Sequence, residues 1–285
     1  MLLKPWKVIV RNGKKLDINC KKTKITSFSK EKCEARNFNS QFKGESIEIV
    51  DEYKYLGVIM NYNGSFKSCQ TQLCQQGRRA MYSLIAKCPK LDLPIDLQLE
   101  LFDAMVLPVI TYGCEIWGFN TCKDIENVQV TLLKHILNVR KTTCNAMVYG
   151  ELAKYPVSVH IKTRMLNYWS RLLTGKQVKL CCVMYQCLLK LYNENTFISP
   201  WLSYTRTLLN NSGLSGVWIY QDVNNYVWLK NAFERNVKDQ WITEWRSLLS
   251  SKSSCSTYVS YQDNFALESY LVLSRFSLCR LRTKN

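Results

Sequence analysis

Cysteine and histidine side chains are the groups in this sequence that metal chemistry would use first. The 285 residues include 13 cysteines and two histidines, His135 and His160, but no Cys-x-x-Cys pair. Cys181, Cys182 and Cys187 cluster on a predicted helix without a nearby histidine. Because structural zinc needs four convergent ligands, this spacing predicts no metal site. The odd number of cysteines and the lack of an apolar N-terminal signal favour reduced thiols and an intracellular location, in the cytoplasm or nucleus.

Basic side chains outnumber acidic ones by 39 to 22, and their distribution matters more than the total. Residues 1–43 hold 12 basic and 3 acidic side chains, residues 44–130 hold 7 and 11, and residues 131–190 hold 10 and 1. This distribution predicts a positive surface on part of the molecule, for which nucleic acid is the natural polyanionic partner. The alternative is a set of solvated lysines with no partner. No apolar run reaches the ~18 residues of a membrane span, so no membrane partner is predicted.

A β-hairpin is the predicted element that would position aromatic groups. The segment Ile47–Met60 is rich in β-branched and aromatic residues, and Asn63-Gly64 provides a turn after it. In an extended chain Tyr53 and Tyr55 point to one side and Lys54 to the other. Gly57 interrupts the run, which indicates a bulge or a close approach by another backbone. A further strand is predicted over Ile25–Phe28.

Helical periodicity begins after the hairpin. Apolar residues recur every three to four positions from Phe66 to Cys88 and leave Arg78 and Arg79 off the stripe. A second helix is predicted with Asp96 as its cap and with a kink or an end at Pro108. Its predicted apolar side consists of Leu97, Leu101 and Met105.

The basic segment that follows predicts three more helices. The first runs from Ile125 to Val139 and carries Lys134, His135, Asn138 and Arg140 on its polar flank. The others start at Thr143 and Pro156. The last of them is predicted to bury Ile161, Met165, Trp169 and Leu172. Its polar face is predicted to bind phosphates, and the alternative is a face that is only solvated. The residues of this face are His160, Lys162, Arg164 and Arg171.

The C-terminal part of the sequence is also helical in pattern. Helices are predicted over 178–192, around Trp228, Trp241 and Trp245, and over Phe265–Leu281, with a stop at 210–213. The serine-rich stretch Ser250–Ser256 is predicted to be a linker.

Several blocks resemble reverse transcriptases of non-LTR (LINE-type) retrotransposons. The run Tyr53–Val58, YKYLGV, is similar to the family's primer-grip hairpin, and Asn19–Lys24 is similar to the N-x-x-K-T-K element that precedes it. Downstream, Leu101–Gly118, Ile125–Leu137 and Thr142–Pro156 resemble the thumb side of the same enzymes. The resemblance extends from about residue 19 to residue 171 and departs from the family at Ala153, where a glycine is usual.

The resemblance implies a fold that is mainly α with a small N-terminal β remnant (α+β). The expected organisation is a palm remnant of incomplete hairpins over residues 1–64, a helical thumb over 65–174 and a helical C-terminal extension over 175–285. Polymerase chemistry requires paired carboxylates that hold Mg²⁺ ions. The chain contains no Asp-Asp pair, and its adjacent acidic pair, Asp51-Glu52, lies at the approach to the hairpin, where we expect surface residues.

The resemblance therefore implies a truncated RNA-directed DNA polymerase without catalytic residues, which needs no cofactor or small-molecule substrate of its own and does not polymerise alone. Its expected partners are RNA and an RNA–DNA primer-template. One alternative is a helical scaffold or a non-functional relic without a nucleic-acid role; another is a polymerase completed by a second chain. The predicted nucleic-acid-binding residues are Lys22, Lys24, Tyr53, Tyr55, Gly57, Arg78, Arg79, Lys134, Arg140, Lys162, Arg164 and Arg171.

Overall fold

The computed structural model describes residues 23–28, 41–42, 45–120, 122–175, 179–223, 225–262, 264–268 and 270–271. Of these residues, 65% are helical and 7% lie in strands, which confirms the prediction of a mainly α fold with a small β part. The chain divides into two compact units, Met1–Ser68 and Cys69–Asn285. The domain boundaries at 64 and 174 remain predictions. Lys22 and most of the predicted last helix lie outside the described residues.

The first unit holds three short strand pairs. Strands β1 (Lys24–Ile25) and β4 (Glu48–Ile49) are parallel, whereas β2 (Gln41–Phe42) with β3 (Glu45–Ser46) and β5 (Glu52–Tyr55) with β6 (Val58–Asn61) are antiparallel. The strand predicted over 25–28 is wrong beyond Ile25, because the described residues 26–28 are not in a strand.

The β5–β6 hairpin turns on two residues, Leu56 and Gly57, with φ of 46° and 88°. Positive φ at both central positions characterises a type I′ turn, whose twist suits a two-residue hairpin. The expected bulge at Gly57 is wrong, because this glycine is a turn residue and Tyr55 pairs directly with Val58. The alternative expectation, a close approach by another backbone, stays a prediction. The predicted turn at Asn63-Gly64 is confirmed: Gly64 has a φ of 74°, and its N–H donates to the Asn61 carbonyl at 2.9 Å.

The secondary structure described for the second unit consists of helices joined by turns and loops, and its first helix begins at the end of the first unit. Its helices are α1 (Lys67–Lys87), α2 (Ile95–Met105), α3 (Leu107–Ile110), α4 (Cys114–Trp117), α5 (Lys123–Ile136), α6 (Asn145–Glu151), α7 (Val157–Thr174), α8 (Leu180–Asn193), α9 (Pro200–Asn211), α10 (Ser215–Tyr220), α11 (Tyr226–Ser250) and α12 (Ser256–Val259).

Helix α1 buries the predicted stripe, including Leu73, Gly77, Met81 and Leu84. The stripe packs most closely at Gly77, where a Cβ atom would lie 2.0 Å from Cγ2 of the fully buried Ile110. Glycine is therefore the residue that lets α1 approach α3 at this point.

We expect Gly77→Ala to destabilise the protein by about 1–2 kcal/mol, because the overpacking cost of about 1–3 kcal/mol exceeds the helix-propensity gain of about 0.5–1 kcal/mol. Gly216→Ala is the matched control, since its Cβ would meet no atom within 4 Å. That variant should be as stable as the parent or slightly more stable. Urea unfolding measures both changes, and a Gly77→Ala protein with the parent's midpoint would contradict the expected clash.

Helix α2 shows an error in the predicted burial. Ile95, Leu99 and Phe102 are buried, whereas Leu97 and Met105 of the predicted apolar side are exposed. The cap position is also corrected: Pro94 precedes the helix, and Asp96 lies in its first turn. The expected end of the helix before Pro108 is confirmed, since α2 stops at Met105.

Helix α7 lies at the centre of the second unit. It contacts α4, α5, α8, α9 and α11, and its Ile161, Met165 and Trp169 side chains are at most 1% exposed. Trp169 Nε1–H donates to the Tyr185 hydroxyl on α8 at 2.9 Å, so even the polar atom of this buried indole is paired. The inward stripe predicted for this helix is confirmed.

The predicted linker over 250–256 is wrong. Helix α11 continues to Ser250, and a 3₁₀ turn, Ser253–Cys255, follows it directly. Cys255 is completely buried and belongs to a small core cluster with Ala146, Trp245 and Leu249. Among the helices in the described parts of the chain, none combines the length and the apolar character that crossing a bilayer would require.

Candidate nucleic-acid interface

The β5–β6 hairpin presents aromatic groups to solvent. Tyr55 is 55% exposed and Leu56, at the tip, is 74% exposed, while Tyr53 is exposed to a smaller degree. The register places Tyr53 opposite Met60 and Tyr55 opposite Val58, so both tyrosines share one face of the hairpin.

Glu52 fixes the base of this hairpin. Its Oε1 accepts hydrogen bonds from Asn61 Nδ2 at 2.8 Å and from Ser68 Oγ at 2.5 Å. These bonds, that of Ser68 first, lower the pKa of the Glu52 carboxyl, because they stabilise its charged form. Glu52 thus holds the end of β6 and the start of α1, which gives this member of the acidic pair a structural role.

A basic cleft of about 870 Å³ opens in the second unit between α1, α5 and the segment before α6. Lys134, His135, Lys141 and Lys252 line it, and its described lining includes no carboxylate. We call it the lysine cleft. Three lysines without a neutralising acid around one concavity raise the local positive potential, because a cleft with low-dielectric walls focuses the field.

Local structure accounts for the position of two of these lysines. Helix α5 ends at Ile136, and Asn138, with a φ of 51°, reverses the chain direction. Lys141 is thereby brought back beside α5, where Lys134 Nζ donates to its carbonyl at 2.7 Å. The reversal also corrects the predicted helix, because Arg140 lies beyond its end, exposed on the turn.

Burial lowers the pKa of Lys134 and also that of His135. Since the ordinary pKa of histidine is already near 6.5, a lowered value leaves His135 neutral at pH 7. The charge of the cleft at neutral pH therefore comes from its lysines.

The polar residues of α7 do not form one continuous basic face. Arg164 donates from Nε to Glu115 Oε1 at 2.9 Å, and a second bond from Nη2 reaches the same oxygen. Lys162 instead lines a separate cleft of about 450 Å³ beside Glu126 and Glu244. Lys162 and Arg164 therefore do not share one face, because positions two apart on a helix point in different directions. Phosphate binding by this helix stays a prediction.

Apart from Lys134, none of the described residues that were predicted to bind nucleic acid lines the lysine cleft. Lys24 pairs with Glu48 across β1 and β4, and Arg78 Nη2 lies 3.5 Å from Asp124 Oδ1. Arg79 is exposed, one helical turn before Tyr82, which lines the lysine cleft. Arg171 is exposed in the last turn of α7. Within the second unit, the structure thus brings Lys134 to the cleft, whereas Arg79, Arg140 and Arg171 are exposed outside its lining.

Lys141 and Lys252 were missing from the predicted set. The basic block over 131–190 was a usable signal for Lys141. No sequence signal pointed to Lys252, because it follows helix α11, whose position against α6 depends on contacts between residues about 100 positions apart in the chain.

Glu126 is a second residue that the sequence did not single out. Its carboxylate accepts the N–H groups of Val157 at 3.0 Å and Ser158 at 2.6 Å, and the Tyr149 hydroxyl at 3.2 Å. Because Pro156 provides no side-chain cap, a carboxylate from α5 satisfies two of the first N–H groups of α7. Glu126 therefore fixes the start of the central helix.

The described cysteines are all free thiols, and no group of three or more His, Cys, Asp or Glu side chains within the described residues is arranged to hold a metal ion.

Comparison with known proteins gives one informative similarity. An uncharacterised transposon-derived protein of Caenorhabditis elegans is 30% identical to this chain over 118 residues. The match spans 41% of this chain and 41% of the relative, which is less than half of either protein. No protein-family model and no solved structure matches the chain. The similarity supports a transposon-related origin.

Proposed function

We propose that this chain is the primer-grip and thumb portion of a non-LTR retrotransposon reverse transcriptase and that it binds an RNA–DNA primer-template without polymerising by itself. The lysine cleft carries the proposal. Lys134, Lys141 and Lys252 place three cations around one concavity whose described lining lacks a carboxylate. Such a site suits successive phosphates, because backbone contacts position a nucleic acid without reading its sequence.

The hairpin supports the same proposal from the other compact unit. Its two tyrosines share one face, and the tip residue Leu56 is exposed. This arrangement suits contact with a nucleic-acid strand, since aromatic side chains stack on bases of any sequence. The transposon-derived relative is consistent with an origin in a mobile element.

Binding of a labelled RNA–DNA primer-template, followed by fluorescence anisotropy across a salt series, tests the proposal. We expect log K to fall linearly with log[salt], by about 0.7–0.9 for each phosphate neutralised. The triple variant Lys134→Gln, Lys141→Gln, Lys252→Gln should weaken binding at least about tenfold and reduce the slope by about two to three, because it removes up to three phosphate contacts.

A matched control separates the cleft from overall charge. Lys90→Gln, Lys190→Gln, Lys230→Gln removes the same charge from exposed positions outside the cleft. Equal weakening by both triple variants would contradict a cleft-specific role, and no binding at low salt would reject the proposal. Primer extension by the purified chain with Mg²⁺ would contradict its non-catalytic part.

An apolar surface on α8 favours the scaffold alternative. Leu180, Met184, Val183 and Leu191 recur at helical spacing and are 75%, 60%, 44% and 43% exposed. An exposed apolar row of this kind suits protein–protein contact. Absence of nucleic-acid binding in the anisotropy experiment would make this surface the stronger basis for a function.

A further inference from the structure

Two cysteines from distant parts of the chain meet at the edge of the lysine cleft. Cys144 precedes α6, lines the cleft and is partly exposed, whereas Cys255 lies in the 3₁₀ turn after α11 and is 0% exposed. Cys144 packs against the core cluster to which Cys255 belongs, and each of the two thiols is close enough to influence the pKa of the other. One sulfur is thus accessible from the cleft, with the other behind it.

The surroundings give the two thiols different reactivity. Lys252 Nζ lies 3.7 Å from Cys144 Sγ. Burial tends to raise the pKa of Cys144, but the N–H groups of Ala146 and Met147, the Cys255 thiol and Lys252 outweigh burial, and the pKa is lowered. Burial and the neighbouring sulfur raise the pKa of Cys255. Because the thiolate is the nucleophile, Cys144 is the reactive member of the pair, and Cys255 is the candidate resolving thiol.

The other close thiol pairs in the described residues lack this arrangement. Burial raises the pKa of Cys74, which neighbours Cys122, to about 12. The sulfurs of Cys181 and Cys182 lie 4.0 Å apart on α8, and burial again raises the pKa of Cys182.

We propose that Cys144 and Cys255 form a site of reversible thiol oxidation, in which Cys144 reacts with a hydroperoxide and Cys255 converts the product into an intramolecular disulfide. The proposal stands on the packing of Cys144 against the cluster that contains Cys255, on the adjacent Lys252 and on the open cleft. It does not depend on nucleic-acid binding. An accessible thiolate beside a resolving thiol is the arrangement that redox-sensing cysteines share.

The chemistry balances with hydrogen peroxide as the oxidant. The Cys144 thiolate attacks one peroxide oxygen, the O–O bond breaks, and a sulfenic acid forms while hydroxide leaves and is protonated to water. The Cys255 sulfur then attacks the Cys144 sulfur, the S–O bond breaks, and the hydroxide leaves as water with the Cys255 proton. Two thiols lose two electrons, and one peroxide becomes two waters.

Mass spectrometry after mild peroxide treatment of the full chain tests the proposal. Trypsin cleaves after Lys141, Lys154, Lys252 and Arg275, so Cys144 and Cys255 each become the only cysteine of their peptide. The expected product is a cross-link between peptides 142–154 and 253–275 that dithiothreitol removes. Failure to find this cross-link while other cysteines are oxidised would overturn the proposal.

Alkylation of the untreated parent protein needs no variant that could misfold. At pH 7 we expect iodoacetamide to modify Cys144 faster than the exposed Cys187, and equal or slower modification would count against an activated thiol. Lys252→Met should slow alkylation of Cys144 by about threefold to tenfold, because it removes a charge that favours the thiolate. Lys230→Met, at an exposed position of α11, should leave the rate unchanged.

Cys255→Ser separates the two chemical steps. In this variant peroxide should leave Cys144 as a sulfenic acid that dimedone traps, with no 144–255 cross-link. A Cys255→Ser protein whose Cys144 reacts with neither peroxide nor dimedone would overturn the assignment of Cys144 as the attacking thiol, provided that its circular dichroism spectrum matches the parent's.

Discussion

Trp245→Ala should destabilise the second unit by about 3–5 kcal/mol, which is the cost of removing a large buried aromatic side chain. Trp245 is 1% exposed, packs edge-to-face on Phe265 with ring centroids 5.3 Å apart, and donates from Nε1 to the Ala146 carbonyl at 2.8 Å. The variant loses this packing and the hydrogen bond from the indole to the Ala146 carbonyl. Urea unfolding followed by circular dichroism measures the loss as a lower midpoint.

Two further variants separate the contribution of the indole hydrogen bond from that of the buried ring. Trp245→Phe keeps most of the ring but removes the donor, so it should cost about 1–2 kcal/mol. Trp228→Ala changes a tryptophan on the same helix that is 57% exposed, and it should alter stability by less than about 0.5 kcal/mol. If Trp245→Ala and Trp228→Ala unfolded at the same urea concentration, α11 would not be held to α6 as described.

Glu126→Gln should destabilise the protein by about 1.5–3 kcal/mol, although the substitution preserves the size of the side chain. The carboxylate has two acceptor oxygens, and donors approach both: Ser158 at one, Val157 and Tyr149 at the other. An amide has one oxygen, so its NH₂ group must face at least one donor. The start of α7 then loses a charge-assisted bond and gains an unfavourable contact.

Glu100→Gln on the exposed side of α2 is the matched control for this change, and it should be nearly neutral. Urea midpoints of the two variants give the comparison. Hydrogen exchange at the Val157 and Ser158 amides adds a local measurement, since both should exchange faster in Glu126→Gln. Unchanged exchange at these amides would show that the carboxylate does not hold them.

Local sequence patterns predicted where helices form better than they predicted which side of each helix is buried. The α1 stripe was predictable because its apolar residues recur at one spacing and polar residues fill the rest. Helix α2 misled the prediction because apolar residues lie all around it: Leu97 and Met105 fit a helical stripe as well as Leu99 and Phe102 do. Only the packing of α2 against neighbouring helices decides which set is buried.

Long-range contacts explain why the candidate site was predicted only in part. The primer-grip resemblance lies within a few consecutive residues, so the hairpin was found, although its turn at Leu56-Gly57 was not. Lys252 joins Lys134 in one cleft, and Arg164 pairs with Glu115, through contacts that no local pattern encodes. The serine-rich composition before Cys255 indicated a linker, although that cysteine is buried against a helix more than 100 positions earlier.

The distance in sequence between α6 and its partners has a consequence for synthesis on the ribosome. Ala146 is made 99 residues before Trp245, the indole that pairs with its carbonyl. At a synthesis rate of about 5–20 residues per second, about 5–20 seconds pass between the synthesis of Ala146 and that of Trp245. During this interval the apolar surface of α6 is open to chaperones or to neighbouring nascent chains. A stalled or prematurely released chain that ends before residue 245 would therefore be a substrate for quality control.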